Sequence, residues 1–220
     1  GLAATLDELL MAAEYVLKQP KDGYTVLGLS SATQAYPATG LSNLTYRDFQ
    51  MIGMAGGGVA GWTVAKNSPL RTMEDLIQGL KRGDLTMSTS GVGSAWYLPS
   101  VLLARAVGGQ FTPVPYGGGY PSVVAASKGE VDFAASDVAE ALPLLQQGLV
   151  RALAYLGRGP RRVEGYGDIP SVLNWVPSLE PYVDAMVTWR GMAYARGVPA
   201  AVVEKMVEAF QYAVRSEEFL

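Results

Sequence analysis

The stretch VDFAASDVAEALPLLQQGLVRALAYL, residues 131–156, decides the fold. VDFAAS (131–136) is apolar and β-prone, so it reads as a buried strand. It runs into Asp137, with Glu140 three residues on, the spacing of a helix start whose two ends cap one another. After the helical run, VRALAYL (150–156) is again β-prone. Strand, helix and strand in succession call for a crossover connection, hence parallel strands with helices on the faces of the sheet.

The same grammar extends outward in both directions. Upstream, Thr72 with Asp75 opens a helix along Met73, Leu76, Ile77 and Leu80 that stops at Gly83. Strand LTMST (85–89) follows, then a helix along Leu98, Val101 and Leu102, then PVPY (113–116) and a helix from about Pro121 to Lys128. Pro99 would forfeit a ladder hydrogen bond if Ser94 were the N-cap, so this reading starts the regular helix nearer Trp96. Toward the N-terminus, Thr5 and Glu8 cap a helix that ends at Pro20, YTVLGL (24–29) reads as a strand emptying into SSATQ (30–34), and Met51 to Ala65 is a second strand region. Downstream, GRGPRRVEGYGDIP (157–170) reads as a long loop or linker, WRGMAYA (189–195) as a strand, and Pro199 starts an amphipathic helix along Val202, Met206, Phe210 and Ala213.

Composition narrows the function. The 220 residues carry 49% hydrophobic and 17% charged side chains, enough for one core or two small ones. A net charge of -3 supplies no basic field for nucleic acid. Histidine and cysteine are absent, which excludes a Ser-His-Asp triad, an imidazole base, an H-E-x-x-H zinc site, thiolate chemistry and disulfides. The uncharged run from Met51 to Ala65 is shorter than the roughly 20 residues of a membrane span and is broken by glycines.

Four motifs could carry chemistry. GGGVAG (56–61) fits a dinucleotide pattern, but β-prone WTVAK follows it where a helix is required. Asp132, Asp137 and Glu140 are close in sequence, which would suit acid/base work or a hard metal, but Asp137 and Glu140 are also where an N-cap and its reciprocal partner belong. Arg158, Arg161 and Arg162 are a solvated loop or a lure for an anion. TSGVGS (89–94) combines a strand end, two glycines, three hydroxyls and a helix start. It is either a strand-to-helix turn or an anion loop of converging N–H groups beside a positive helix terminus.

Six ordered blocks, KDGYTVLGLSSATQA, TSGVGSAWYL, VPYGGGYPSVVAASKGEVDFAASDVAEALP, GLVRALAYLG, GDIPSVLN and WRGMAYARGVP, resemble the Bug family, the periplasmic solute receptors of tripartite tricarboxylate transporters. The resemblance implies an α/β fold of two lobes, of the class II-like periplasmic binding protein type, each a mostly parallel sheet flanked by helices. It implies crossings near 61–66 and 187–192, with 1–63 and 190–220 forming one lobe and 64–189 the other. The family's opening segment with its Pro-Gly-Gly loop, its final stretch and its signal peptide are not among these residues.

Function follows as what the resemblance implies. A small organic acid (a di- or tricarboxylate, an aromatic carboxylate or an amino acid) would be captured between the lobes by a monomeric periplasmic receptor and passed to membrane transporter subunits. No catalytic residue, cofactor, metal or nucleic acid is expected. Carried over by motif position, Thr89, Ser90, Gly91, Gly93 and Ser94 form the anion loop, Ser31 and Thr33 contact the ligand from the other lobe, and Tyr116, Gly117, Gly118 and Asp137 line the pocket. The family often has histidine at the positions of Gln34 and Tyr97, and usually lysine at that of Gly117. Trp96, Tyr97 and Tyr120 near the loop suit an aromatic or bulky acid, or equally a place in core or rim. The competing functions are a carboxylate- or metal-dependent enzyme and a sensory or scaffold module.

Overall fold

The computed structural model describes residues 6–34, 36–37, 40–91 and 94–216. They form two compact units, Gly58–Val187 and the combination of Gly1–Gly57 with Thr188–Leu220. The strand that follows Gly58 is internal to the sheet of the Gly58–Val187 unit.

In chain order that unit contains β3 (Ala60–Ala65), α2 (Met73–Arg82), β4 (Thr86–Thr89), α3 (Tyr97–Ala106), β5 (Thr112–Pro115), α4 (Gly119–Ser127), β6 (Phe133–Asp137), α5 (Val138–Gln146) and β7 (Val150–Tyr155). Its sheet has the order β5-β4-β6-β3-β7. β4 is parallel to β5 and β6, whereas β3 is antiparallel to both β6 and β7. Four strands thus run one way with β3 reversed among them, a mostly parallel sheet.

Helices cover both faces, which is why β6 is buried along its whole length. Phe133 and Ala135 join Trp62, Leu76, Leu80 and Leu103 under α2 and α3, while Ala134 joins Val123, Ala126, Val138 and Leu144 under α4 and α5. That alternation is the two-residue period of a strand. Thr72 caps α2 reciprocally with Asp75, and Gly83 ends it at φ 78° in the left-handed region. α3 begins at Tyr97, so Pro99 occupies the first turn, where its missing N–H costs no ladder bond.

The segment read as a long loop instead contains a hairpin, β8 (Arg161–Val163) against β9 (Gly167–Ile169). Gly165 supplies the left-handed turn at φ 72°. The arginine cluster there is largely neutralised: Arg158 pairs with Glu180 and Asp184 at 2.8 Å each, and Arg162 with Asp168 at 3.3 Å. The Arg158 guanidinium holds the Asp184 carboxyl below its ordinary range.

The other unit carries α1 (Leu6–Lys18), β1 (Leu27–Ser30), β2 (Phe49–Gly58, whose last residue lies across the boundary), β10 (Thr188–Ala195) and α6 (Ala200–Ala213). The cap expected from Thr5 lies outside the described residues. The sheet order is β1-β10-β2, and β1 pairs antiparallel with β10, contrary to the expectation of mostly parallel strands in this lobe. The reason is that β10 is contributed by the returning end of the chain, not by a strand-helix-strand crossover. β1 also starts later than YTVLGL implies. The Tyr24 N–H is taken by the Asp22 carboxylate at 3.0 Å, leaving that ring 92% exposed, and the ladder opens only at Leu27 opposite Ala193. Ala13, Val16, Leu27, Leu29, Phe49 and Ala193 form the core of this unit. Val202, Met206 and Phe210 of α6 are half-buried as the amphipathic spacing requires, and Ala213 is exposed.

Candidate functional site

β4, β5 and β6 are adjacent and parallel, so Thr89, Tyr116 and Asp137 arrive at the same edge of one sheet. α3, α4 and α5 start from that edge, each with a positive N-terminal end. Carboxyl ends of parallel strands are where such folds hold ligands. The three helix starts differ in a way that matters for an anion. Asp137 caps α5, accepting the Ala139 N–H at 3.1 Å, while Glu140 accepts the Asp137 N–H at 3.1 Å. The start of α5 is therefore served by the protein's own carboxylates. The N-cap residues of α3 and α4, Trp96 and Gly118, supply no side-chain cap, although the Ser94 hydroxyl accepts the Tyr97 N–H at the start of α3 at a long 3.4 Å.

Between β4 and α3, Gly91 adopts φ 133° with open space where a Cβ would be, so the backbone conformation alone requires glycine there. Thr89 is fully buried, and its hydroxyl lies 3.3 Å from that of Ser94. Thr89 also accepts the Tyr116 N–H at 2.8 Å through its carbonyl, tying the loop after β5 to the loop after β4. Ser90 is half-buried, and its hydroxyl has no partner among the described residues. The Ser94 N–H donates to the Gly91 carbonyl at 3.1 Å and closes the turn, so this amide is not available to a guest. Gly93 lies outside the described residues.

Gly117 is exposed with open space around it, and Gly118 accepts from both the amide and the hydroxyl of Ser122. Tyr116 donates its hydroxyl to Glu130 at 3.0 Å, and this bond, with the nearby negative charge, raises the phenol above its ordinary pKa. Ser31 and Thr33 follow β1 in the other unit. Ser31 is half-buried, whereas Thr33 is buried and donates its hydroxyl to the Ser30 carbonyl at 2.9 Å.

Two glycines have a role the sequence reading missed. A Cβ at Gly58 would overlap the Asp137 carboxylate and crowd the Trp96 ring, and a Cβ at Gly119 would overlap the Glu140 carboxylate. Gly58 belongs to the GGGVAG run. The missing Cβ lets the backbone at Gly58 pass close to a capping aspartate, a contact between positions far apart in sequence that no local pattern announces. In the same unit as Ser31, an apolar cavity of about 430 Å³ is lined by Gln34, Tyr46, Met51, Ile52, Gly53, Met54 and Trp189.

Comparison with known proteins gives a consistent result. The UPF0065 protein in the tcbD-tcbE intergenic region of Pseudomonas sp. (strain P51) is 28% identical over 207 residues, covering 90% of this chain and 58% of that protein. This chain therefore spans about three fifths of the length of the curated relatives it matches. The R. palustris protein Rpa4515, solved with adipate, superposes with a TM-score of 0.76 at 26% identity over 95% of this chain and 70% of its own. The periplasmic binding protein BugD gives a TM-score of 0.76 at 22% identity over 96% of this chain and 70% of its own. The fold is that of the periplasmic binding proteins. The model of the tripartite tricarboxylate transporter family receptors matches residues 8–220, and the chain belongs to that family.

Proposed function

We propose that the protein is a periplasmic, non-enzymatic receptor that captures a small organic carboxylate at the ends of β4 and β5 and delivers it to the membrane subunits of a tripartite tricarboxylate-type transporter. The observation that carries this reading is the contrast among three helix starts on one strand edge. One is served by Asp137 and Glu140; the other two have no carboxylate at their N-cap, and α3 has beside it the Ser90 hydroxyl and that of Ser94, which reaches the Tyr97 N–H only at 3.4 Å. Solved with adipate, a relative of 26% identity supports a carboxylate as the guest. An acid/base or metal role for Asp137 with Glu140 loses its ground, since both carboxylates serve the capping box.

The guest exchanges hydration for amide and hydroxyl donors. Each charge-assisted hydrogen bond contributes about 1.5–3 kcal/mol, so a few of them suffice for micromolar affinity after ordering costs. A thermal-shift screen across di- and tricarboxylates, aromatic acids and amino acids identifies the guest. A binder at about 100 times its dissociation constant adds about 2.7 kcal/mol of stability. Ser94→Ala and Thr89→Val then weaken the best binder by about tenfold or more in calorimetric titration. Unchanged affinity in both variants refutes the assignment of the loop. Ser31→Ala, read in the same titration, tests whether that residue also serves the guest, as the family resemblance implies.

A further inference from the structure

Four aromatic side chains lie in or next to the loops that follow β4 and β5, and three are occupied. Trp96 is 4% exposed, with its ring against Gly58 and its carbonyl accepting from Ser100. Tyr97 meets Phe111 edge to face at 5.9 Å, and Phe111 meets Phe133 in the same way at 6.1 Å, so that ring belongs to the core. Tyr116 spends its hydroxyl on Glu130. Tyr120 is different: it is 48% exposed and makes no hydrogen bond or ring contact with any described residue.

Its position gives the ring meaning. Gly117, Gly118 and Gly119 precede it, so Tyr120 is the first side chain after Tyr116, whose amide is bonded to Thr89 at the anion loop. It stands in the first turn of α4, which has no cap. Aspartate, serine or glutamate would serve a helix start better than tyrosine, so local structure does not explain the residue. The side chains of the neighbouring positions, Thr89, Ser90, Ser94 and Asp137, include no lysine or arginine to neutralise a second carboxylate. A guest anchored by one carboxylate would find there no cation for a second one, only the capping carboxylates Asp137 and Glu140, and then a phenol ring.

We infer that Tyr120 is a specificity-determining residue whose ring receives the planar body of an aryl monocarboxylate. The inference rests on the reading of the 89–94 loop as the seat of the carboxylate. The experiment is calorimetric titration of the whole protein with benzoate, phenylacetate, succinate and adipate, on the parent and on Tyr120→Ala, Tyr120→Phe and Ser94→Ala. Circular dichroism verifies that each variant is folded.

The aryl acids bind more tightly than the aliphatic ones, and Tyr120→Ala weakens them about tenfold, equivalent to roughly 1.4 kcal/mol. Tyr120→Phe keeps their affinity, because the ring and not the hydroxyl makes the contact. Succinate and adipate change by less than about twofold in Tyr120→Ala, while Ser94→Ala weakens every binder. Aryl affinity unchanged in Tyr120→Ala, or aryl and aliphatic affinities falling together, overturns the role of Tyr120 and leaves the loop standing. Binding of none of the four acids, or indifference of all binders to Ser94→Ala, overturns the loop reading and this inference with it.

Discussion

Gly119→Ala isolates one contact that holds the candidate site in shape. Gly119 is buried at the first position of α4, and an added Cβ would overlap the carboxylate of Glu140. Glu140 is half-buried and accepts the Asp137 N–H at 3.1 Å, so the methyl group displaces one arm of the capping box of α5. Losing a hydrogen bond to a charged group costs about 1.5–3 kcal/mol. Replacing glycine by alanine in a helix returns at most about 1 kcal/mol. The net expectation is a destabilisation of about 0.5–2 kcal/mol. Urea denaturation of the parent, Gly119→Ala, Glu140→Ala and the double variant measures it as a cycle. With Glu140 already truncated there is no carboxylate to displace, so Gly119→Ala becomes neutral or slightly stabilising in that background. Destabilisation of the same size with and without the Glu140 carboxylate refutes the reasoning, because the strain would then lie elsewhere than in the cap.

Two further perturbations test the fold around the site. Ser100 accepts the indole N–H of fully buried Trp62 at 2.9 Å, so Ser100→Ala orphans a buried donor; a loss of about 1–3 kcal/mol in urea denaturation is expected, and one below about 0.5 kcal/mol contradicts it. Asp75 is held below its ordinary pKa, first by the Thr72 N–H and then by that of Arg71. A depressed carboxyl stabilises the fold above its unfolded value near 3.9 and stops doing so as pH falls through the folded value. The stability gap between the parent and Asp75→Asn is therefore open at neutral pH, begins to close as pH falls below about 4 and vanishes only below the folded value, and a gap that does not narrow on acidification counts against the cap.

The alternating elements from 72 to 156 are legible in the sequence because their signals are local. Thr72 with Asp75 and Asp137 with Glu140 are three residues apart, and both capping boxes form as the spacing requires. The strand ends and glycines of the 89–94 loop were visible for the same reason, as was the phenol of Tyr120. What the phenol lacks, a partner, was not visible, since it depends on everything else that packs nearby. The sequence reading also left β2 and β3 undivided and took the 157–170 segment for a loop. The first was settled by the pairing of β3 with the distant β6 and β7, whereas the β8–β9 hairpin lies within residues 161–169 and its strands are too short, at three residues each, to stand out from a Gly- and Pro-rich loop.

Sequence alone thus determined the order and kind of the elements from 72 to 156 and the chemistry available at their ends, because turns, caps and apolar periodicity act over a few residues. Tertiary structure alone decided that β3 runs backward between β6 and β7, that β10 returns antiparallel to β1, and that Gly58 and Gly119 lie against the carboxylates capping α5. These are contacts between distant positions. They depend on which surfaces the whole chain can bury together, a choice no local preference encodes.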